Sequence, residues 1–215
     1  MVARYDAIIF DLDGTLWDAS ESSAMGWEAG LRSADMRDLR ISSRDIQSVS
    51  GQPFPDCVAT LLPGLSLPEH EGLVDAIDAN ERLVVESQGG VAYEGVVAGM
   101  GVLAERYPLF LVSNCQEWYL AAFWKHVPIE RFFRATDCFG KSGVQKAQMI
   151  MGTVARYGLR RPIYVGDTEG DRQAAEAAKV DFGYAAYGFG DVRHSAVEFA
   201  TFENLVQWFT GASPG

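Results

Sequence analysis

Ala7-Ile8-Ile9-Phe10-Asp11-Leu12-Asp13-Gly14-Thr15 is the stretch on which the reading of this chain turns. A continuous apolar run of about four residues suits a strand buried on both faces of a parallel sheet. Here the run ends at two acidic residues with a glycine behind them. Two further runs have the same form. Leu109-Phe110-Leu111-Val112 ends at Ser113-Asn114, and Ile163-Tyr164-Val165 ends at Gly166-Asp167. Open α/β sheets bind ligands outside the carboxyl ends of their strands, so these polar ends are where chemistry is expected.

Helical patterns alternate with the runs, over residues 96–106, 116–126, 144–157 and 172–179, with 202–209 as a closing helix and 182–186 as a further strand. Such alternation predicts right-handed βαβ units. The expected fold is α/β, a Rossmann-like parallel sheet with helices on both faces. Residues 17–91 are too many for a simple crossover. Their apolar pattern is helical around Met25–Leu31, Val58–Leu62 and Leu73–Val85. They are expected to form a small helical domain inserted into an α/β core of residues 1–16 and 92–215, with Gly14 and Gly89-Gly90 as hinges.

Composition narrows the function. The chain has 215 residues, 48% of them hydrophobic, and a net charge of −11. It is long enough for a substantial core, and the acidic balance argues against a nucleic-acid surface. No apolar run approaches the roughly 20 residues of a membrane span. Three cysteines make no disulfide framework, so a cytoplasmic location is expected. Nothing in the sequence assigns an oligomeric state.

Each polar strand end has a bland reading beside its chemical one. Asp11 and Asp13, two residues apart, can reach one ligand if Gly14 tightens the turn. A hard cation such as Mg²⁺ accepts one or two carboxylates together with phosphate oxygens. The alternative is an Asx-turn closing a strand. Asp167 offers a third carboxylate, while Asp171 also suits the N-terminus of the following helix. Ser113 and Asn114 can hydrogen-bond a phosphate but are also ordinary loop residues.

Taken together these residues resemble the motifs of the haloacid dehalogenase superfamily of phosphatases. Asp11 to Thr15 matches the Asp-x-Asp-Gly-Thr motif, Ser113 the hydroxyl ending the next core strand, and Gly166-Asp167 with Asp171 the Gly-Asp-x-x-x-Asp motif. The insertion sits where this family places its helical cap. Tyr187-Gly188-Phe189-Gly190 looks like the phosphoglycolate-phosphatase-like branch. The resemblance implies an Mg²⁺-dependent phosphatase acting on a small phosphorylated metabolite through an aspartyl-phosphate. It implies Asp11 as nucleophile and Asp13 as acid and base. The metal would be held by Asp11, Asp13 through its backbone carbonyl, and Asp167. Ser113, Asn114 and a lysine would bind the phosphate, with Asp171 in support. Lys146, in the first turn of an expected helix, is favoured over Lys141 as that lysine. The resemblance also places Gly51-Gln52-Pro53 in a cap loop facing the site.

Other readings remain open at this point. A phosphomutase of the same superfamily would share every motif, and a non-catalytic phospholigand-binding protein could share the fold. Ala135 to Ser142 approaches a nucleotide-binding P-loop, but Ala135 replaces its first glycine and Asp137 would face phosphates. Arg32, Arg37, Arg40 and Arg44 could bind a distal anionic group of a substrate, although pairing with Asp35, Asp38 and Asp45 on a solvated face is favoured. Trp118 and Trp124 are expected in the core, and Trp17 at the hinge.

Overall fold

The computed structural model describes residues 5–36, 38–64 and 71–211. Six parallel strands form one sheet. They are β1 (Ala7–Phe10), β4 (Leu109–Ser113), β5 (Phe133–Cys138), β6 (Pro162–Gly166), β7 (Asp181–Ala185) and β8 (Val197–Phe199), in the order β5-β4-β1-β6-β7-β8. The short strands β2 (Trp17–Asp18) and β3 (Val91–Ala92) pair separately, antiparallel, with Trp17 opposite Ala92. The helices are α1 (Ser20–Ser33), α2 (Ser43–Val49), α3 (Phe54–Leu61), α4 (Glu71–Gln88), α5 (Val96–Ala104), α6 (Glu117–His126), α7 (Phe139–Ser142), α8 (Lys146–Tyr157), α9 (Glu169–Ala177) and α10 (Phe202–Thr210).

The strand period explains the continuous apolar runs. Ile8, Phe10, Leu109, Leu111, Ile163 and Val165 pack on one face with α5, α6 and α10. Ala7, Ile9, Phe110, Val112 and Tyr164 pack on the other with α8 and α9. With both faces covered, neither alternate position is left for a polar residue. The chain builds outward from β1 through β4 to β5, then returns to β6 on the other side of β1. This reversal is the switch point at which α/β sheets form their sites.

Between β2 and β3 the chain forms α1 to α4. These helices share their own apolar cluster, which includes Trp27, Leu31, Ile41, Val58 and Ile77. Gly26 and Gly30 weaken a sequence-based helix reading, and the structure gives their use. A Cβ on Gly30 would lie 2.6 Å from the Cα of Ile77, and one on Gly26 would strike the backbone of Glu81. The two glycines let α1 and α4 cross backbone to backbone. The polar helix α2 escaped the hydrophobic pattern. It is set by a capping box in which Ser42 Oγ accepts from Asp45 N and Asp45 accepts from Ser42 N.

Three further differences from the sequence reading have physical causes. Strands β5 and β8 carry Arg134, Asp137 and Glu198 because they are edge strands with a half-exposed face. The P-loop-like stretch is that edge strand followed by the one-turn α7. Trp17 is fully buried against Tyr119 and Phe123, so it belongs to the core as much as to the chain crossing. Among the described residues no helix is long and apolar enough to cross a membrane.

Candidate active site

The turn after β1 is tight because Leu12 C=O accepts from Thr15 N at 3.2 Å and from Leu16 N at 2.8 Å. Gly14 takes φ +72°, and a Cβ there would collide with the Asp167 carboxylate. This glycine therefore brings the ends of β1 and β6 together. Asp11 N donates to Val165 C=O at 2.8 Å, which fixes Asp11 over the end of β6.

Lys146, in the first turn of α8, is buried with its Nζ 3.0 Å from Asp11 Oδ1 and 2.6 Å from Asp171 Oδ1. Lys141 is exposed on α7. Of the two lysines weighed from sequence, only Lys146 joins the acidic group. Asp11, Asp167 and Asp171 converge, with ligand oxygens within 4.8 Å of one another. Their surroundings differ. Thr168 and Asp171 form the capping box of α9, with Thr168 Oγ1 donating to Asp171 Oδ2 at 2.7 Å. Asp171 Oδ2 also accepts from Thr168 N at 3.0 Å and Asp167 N at 3.2 Å. With Lys146 on its other oxygen, Asp171 is saturated. Asp11 has two buried oxygens, and Asp167 one, that no donor reaches in hydrogen-bond geometry. Asp167 Oδ2 accepts from Phe189 N at 2.7 Å.

Electrostatics follow the same division. Burial raises the Asp11 carboxyl to about 7, the charge of Asp171 adds to this, and Lys146 opposes it. Burial and the charges of Asp171 and Asp11 likewise push Asp167 well up. Burial would also raise Asp171, but the Lys146 ion pair and the Thr168 hydrogen bonds outweigh it and hold the carboxyl low. These unsatisfied oxygens call for a cation. Oxygen-only donors in a buried carboxylate pair fit a hard divalent ion such as Mg²⁺, with Asp11 and Asp167 as the side chains able to hold it.

Asp13 faces elsewhere. The Tyr119 hydroxyl donates to its Oδ1 at 2.6 Å, so its side chain stands outside the converging trio. Burial raises Asp13 to about 6, against the Tyr119 hydrogen bond. Asp13, Ser113 and Asn114 line a cavity between the sheet's carboxyl edge and the α1–α4 helices. Asn114 Nδ2 donates to Gly51 C=O at 2.7 Å, so the Gly51-Gln52 loop does meet the strand end. Trp118 packs half-buried against the core and Tyr119, and it also lines the cavity and donates from Nε1 to Asp78 at 3.3 Å. Trp124 packs on Phe123 and Phe133, as expected. Arg32, Arg40 and Arg44 are exposed and none lines the cavity. Arg32 pairs with Glu28 at 3.1 Å, and Arg37 lies outside the described residues.

Sequence reasoning missed Tyr119, Thr168, Glu81 and the backbone of Phe189. Thr168 had a local signal, since Thr-x-x-Asp before a helix is a capping-box pattern. The glycines flanking Phe189 had one too, because Gly188 and Gly190 pack against Asp167. Tyr119 and Glu81 reach the site only through tertiary packing, which no local pattern reports.

Comparisons with known proteins agree with this fold. The family model for haloacid dehalogenase-like hydrolases matches residues 8–185. The phosphoglycolate phosphatase of Rhodobacter capsulatus is 29% identical over 216 residues, covering 95% of this chain and 98% of that protein. A haloacid dehalogenase-like family protein from Streptococcus pneumoniae superposes with a TM-score of 0.80 at 19% identity, covering 96% of this chain and 99% of that one. A subfamily IA hydrolase of the superfamily from Geobacter sulfurreducens gives 0.73 at 18% identity, covering 97% and 98%. The chain belongs to the haloacid dehalogenase-like hydrolases.

Proposed function

We propose that this hydrolase is an Mg²⁺-dependent phosphatase of small phosphomonoesters, working through a phosphorylated Asp11. The observation that carries the reading is the buried Asp11 carboxylate at the carboxyl end of β1, paired with the Lys146 ammonium at 3.0 Å from Oδ1 and otherwise unsatisfied. A buried carboxylate so placed, held by one ammonium and left open on its other oxygen, is suited to act as a nucleophile. When bound, Mg²⁺ would supply positive charge that keeps Asp11 ionised and offsets the charge of the phosphoryl oxygens.

Asp11 attacks phosphorus, an O–P bond forms, and the bond to the alcohol oxygen breaks. Asp13 gives its proton to that oxygen, then takes one from the water that hydrolyses the acyl phosphate. A carboxyl raised to about 6 holds a proton near neutral pH far better than an ordinary aspartate. Lys146, Ser113 and neighbouring amides bind the phosphoryl oxygens, with Asn114 beside them. Asp171 acts through Lys146 by holding its ammonium at 2.6 Å. Residues 17–91 serve as a cap, with β2 and β3 as the two crossings between cap and core.

The test is phosphate release from a panel of small phosphomonoesters with and without Mg²⁺. The name of the Rhodobacter relative makes phosphoglycolate one member of that panel. Mg²⁺-dependent release that disappears in Asp11→Asn is expected. No release from any ester by folded, Mg²⁺-supplied protein would remove the reading and leave a mutase or a non-catalytic binder.

A further inference from the structure

The cavity that meets Asp13 and Ser113 holds about 80 Å³, room for roughly half a dozen water-sized groups. Trp27, Phe54, Trp118, Tyr119 and Phe189 give it aromatic walls. Its polar wall is rich in acceptors. Glu81 of α4 is buried there, accepting at 2.9 Å from Trp27 Nε1. Asn114 Oδ1 is buried without a donor. Its orientation is fixed, since exchanging the amide atoms would set its oxygen against the Gly51 carbonyl. Among the described residues, no lysine, arginine or histidine lines the cavity.

The phosphoryl end of a substrate already has its cation in Lys146. The alcohol end would occupy this cavity, where it meets Glu81. A buried carboxylate without a cation is costly, and a glutamine would hold Trp27 equally well without the charge. The charge therefore needs another account. We propose, building on the phosphatase reading above, that the alcohol part of the substrate is a small amino alcohol, with Glu81 as the specificity-determining residue that receives its ammonium group among the aromatic walls. An ammonium over aromatic faces is attracted by their ring quadrupoles, and its N–H groups supply the donor that Asn114 lacks. Burial pushes the Glu81 carboxyl up to about 7, against hydrogen bonds from Ser23 and Trp27. A neighbouring ammonium favours the ionised form again. An alcohol bearing a carboxylate, such as glycolate, would instead meet a like charge with no counter-ion.

The experiment compares kcat/KM for phosphoethanolamine, phosphocholine, glycerol phosphate and phosphoglycolate, with p-nitrophenyl phosphate as a general ester. Wild type should favour phosphoethanolamine over glycerol phosphate by roughly tenfold or more, with phosphocholine, which has the charge but no N–H to give Asn114, between them and phosphoglycolate poorest. Glu81→Gln keeps an acceptor for Trp27, so it should erase most of that ratio and raise phosphoglycolate relative to the rest. A structural role for Glu81 would lower every ester alike and leave the ratios standing, which would overturn the proposal. Turnover of the general ester without amine preference would overturn it too, while the phosphatase reading survives. No turnover of any ester would fell both.

Discussion

The sheet's carboxyl edge and the helical wall facing it treat buried acid in opposite ways. At the edge, Asp11, Asp167 and Asp171 gather around Lys146, and Asp171 is fully satisfied. On the wall, Glu81 has hydrogen-bond donors but no basic partner among the described residues. At the edge three carboxylates share one ammonium, and one divalent cation on the remaining open oxygens would balance them. The wall carries a charge that folding alone does not require. On the reading proposed above, charge with a built-in cation belongs to the chemistry, and charge without one belongs to recognition of the substrate.

The largest test of that contrast falls on the edge. If Asp11 is the nucleophile, as proposed, Asp11→Asn should lower kcat by on the order of 10⁵-fold, because a nucleophile has no substitute. Its melting temperature should not fall, since the neutral isostere relieves burial and repulsion from Asp171 while Lys146 keeps Asp171 at 2.6 Å. A loss of fold with the loss of activity would mean that Asp11 is structural. Next in size is Lys146→Ala, which strands the carboxylates of Asp11 and Asp171. Removing one partner of a buried pair costs about 3–5 kcal/mol, so chemical denaturation should show a fall of that order. Lys141→Ala, on the exposed surface of α7, should stay within about 0.5 kcal/mol. Activity lost in Lys141→Ala and kept in Lys146→Ala would reverse the assignment.

The same contrast explains what could be read from the sequence. Asp11, Asp13, Ser113 and Asp167 each follow an apolar run whose burial on both faces leaves a plain signature, and their spacing is local. Lys146 was harder, since a lysine at a helix start looks the same whether buried or solvated. Only packing, with Asp11 at 3.0 Å, separates it from Lys141. The wall was illegible. Glu81 lies in an amphipathic helix with other acids along it, and only the crossing of α1 over α4 turns it inward. Strands β5 and β8 were missed for a related reason, because edge position permits polar residues that hide a strand.

Glu81 can also be followed through stability. Its carboxyl rises from the usual 4.5 to about 7 on folding, so the folded state binds that proton more tightly. The stability this contributes is complete below about pH 4.5 and is lost as pH rises through 7. Glu81→Gln removes the titration. Relative to wild type, the variant should gain up to about 3 kcal/mol between pH 4.5 and pH 8. Thermal melts of the two proteins across that range, without substrate, give the difference. An unchanged difference would show that Glu81 stays ionised, which would mean that it has a cation after all.

A smaller effect sharpens the comparison from the helical side alone. Gly26 allows α1 to lie directly against the backbone of Glu81. Gly26→Val forces the two helices apart, and overpacking of this kind costs about 1–3 kcal/mol. Trp27 and Glu81 sit at that contact and shift with it, whereas Asp11, Lys146 and Asp167 are anchored to β1, α8 and the end of β6. The variant should therefore melt earlier and lose discrimination among esters, while the general ester shows a raised KM at nearly unchanged kcat. If kcat for the general ester collapsed as well, edge and wall would be one mechanical unit, and the division between chemistry and recognition would fail.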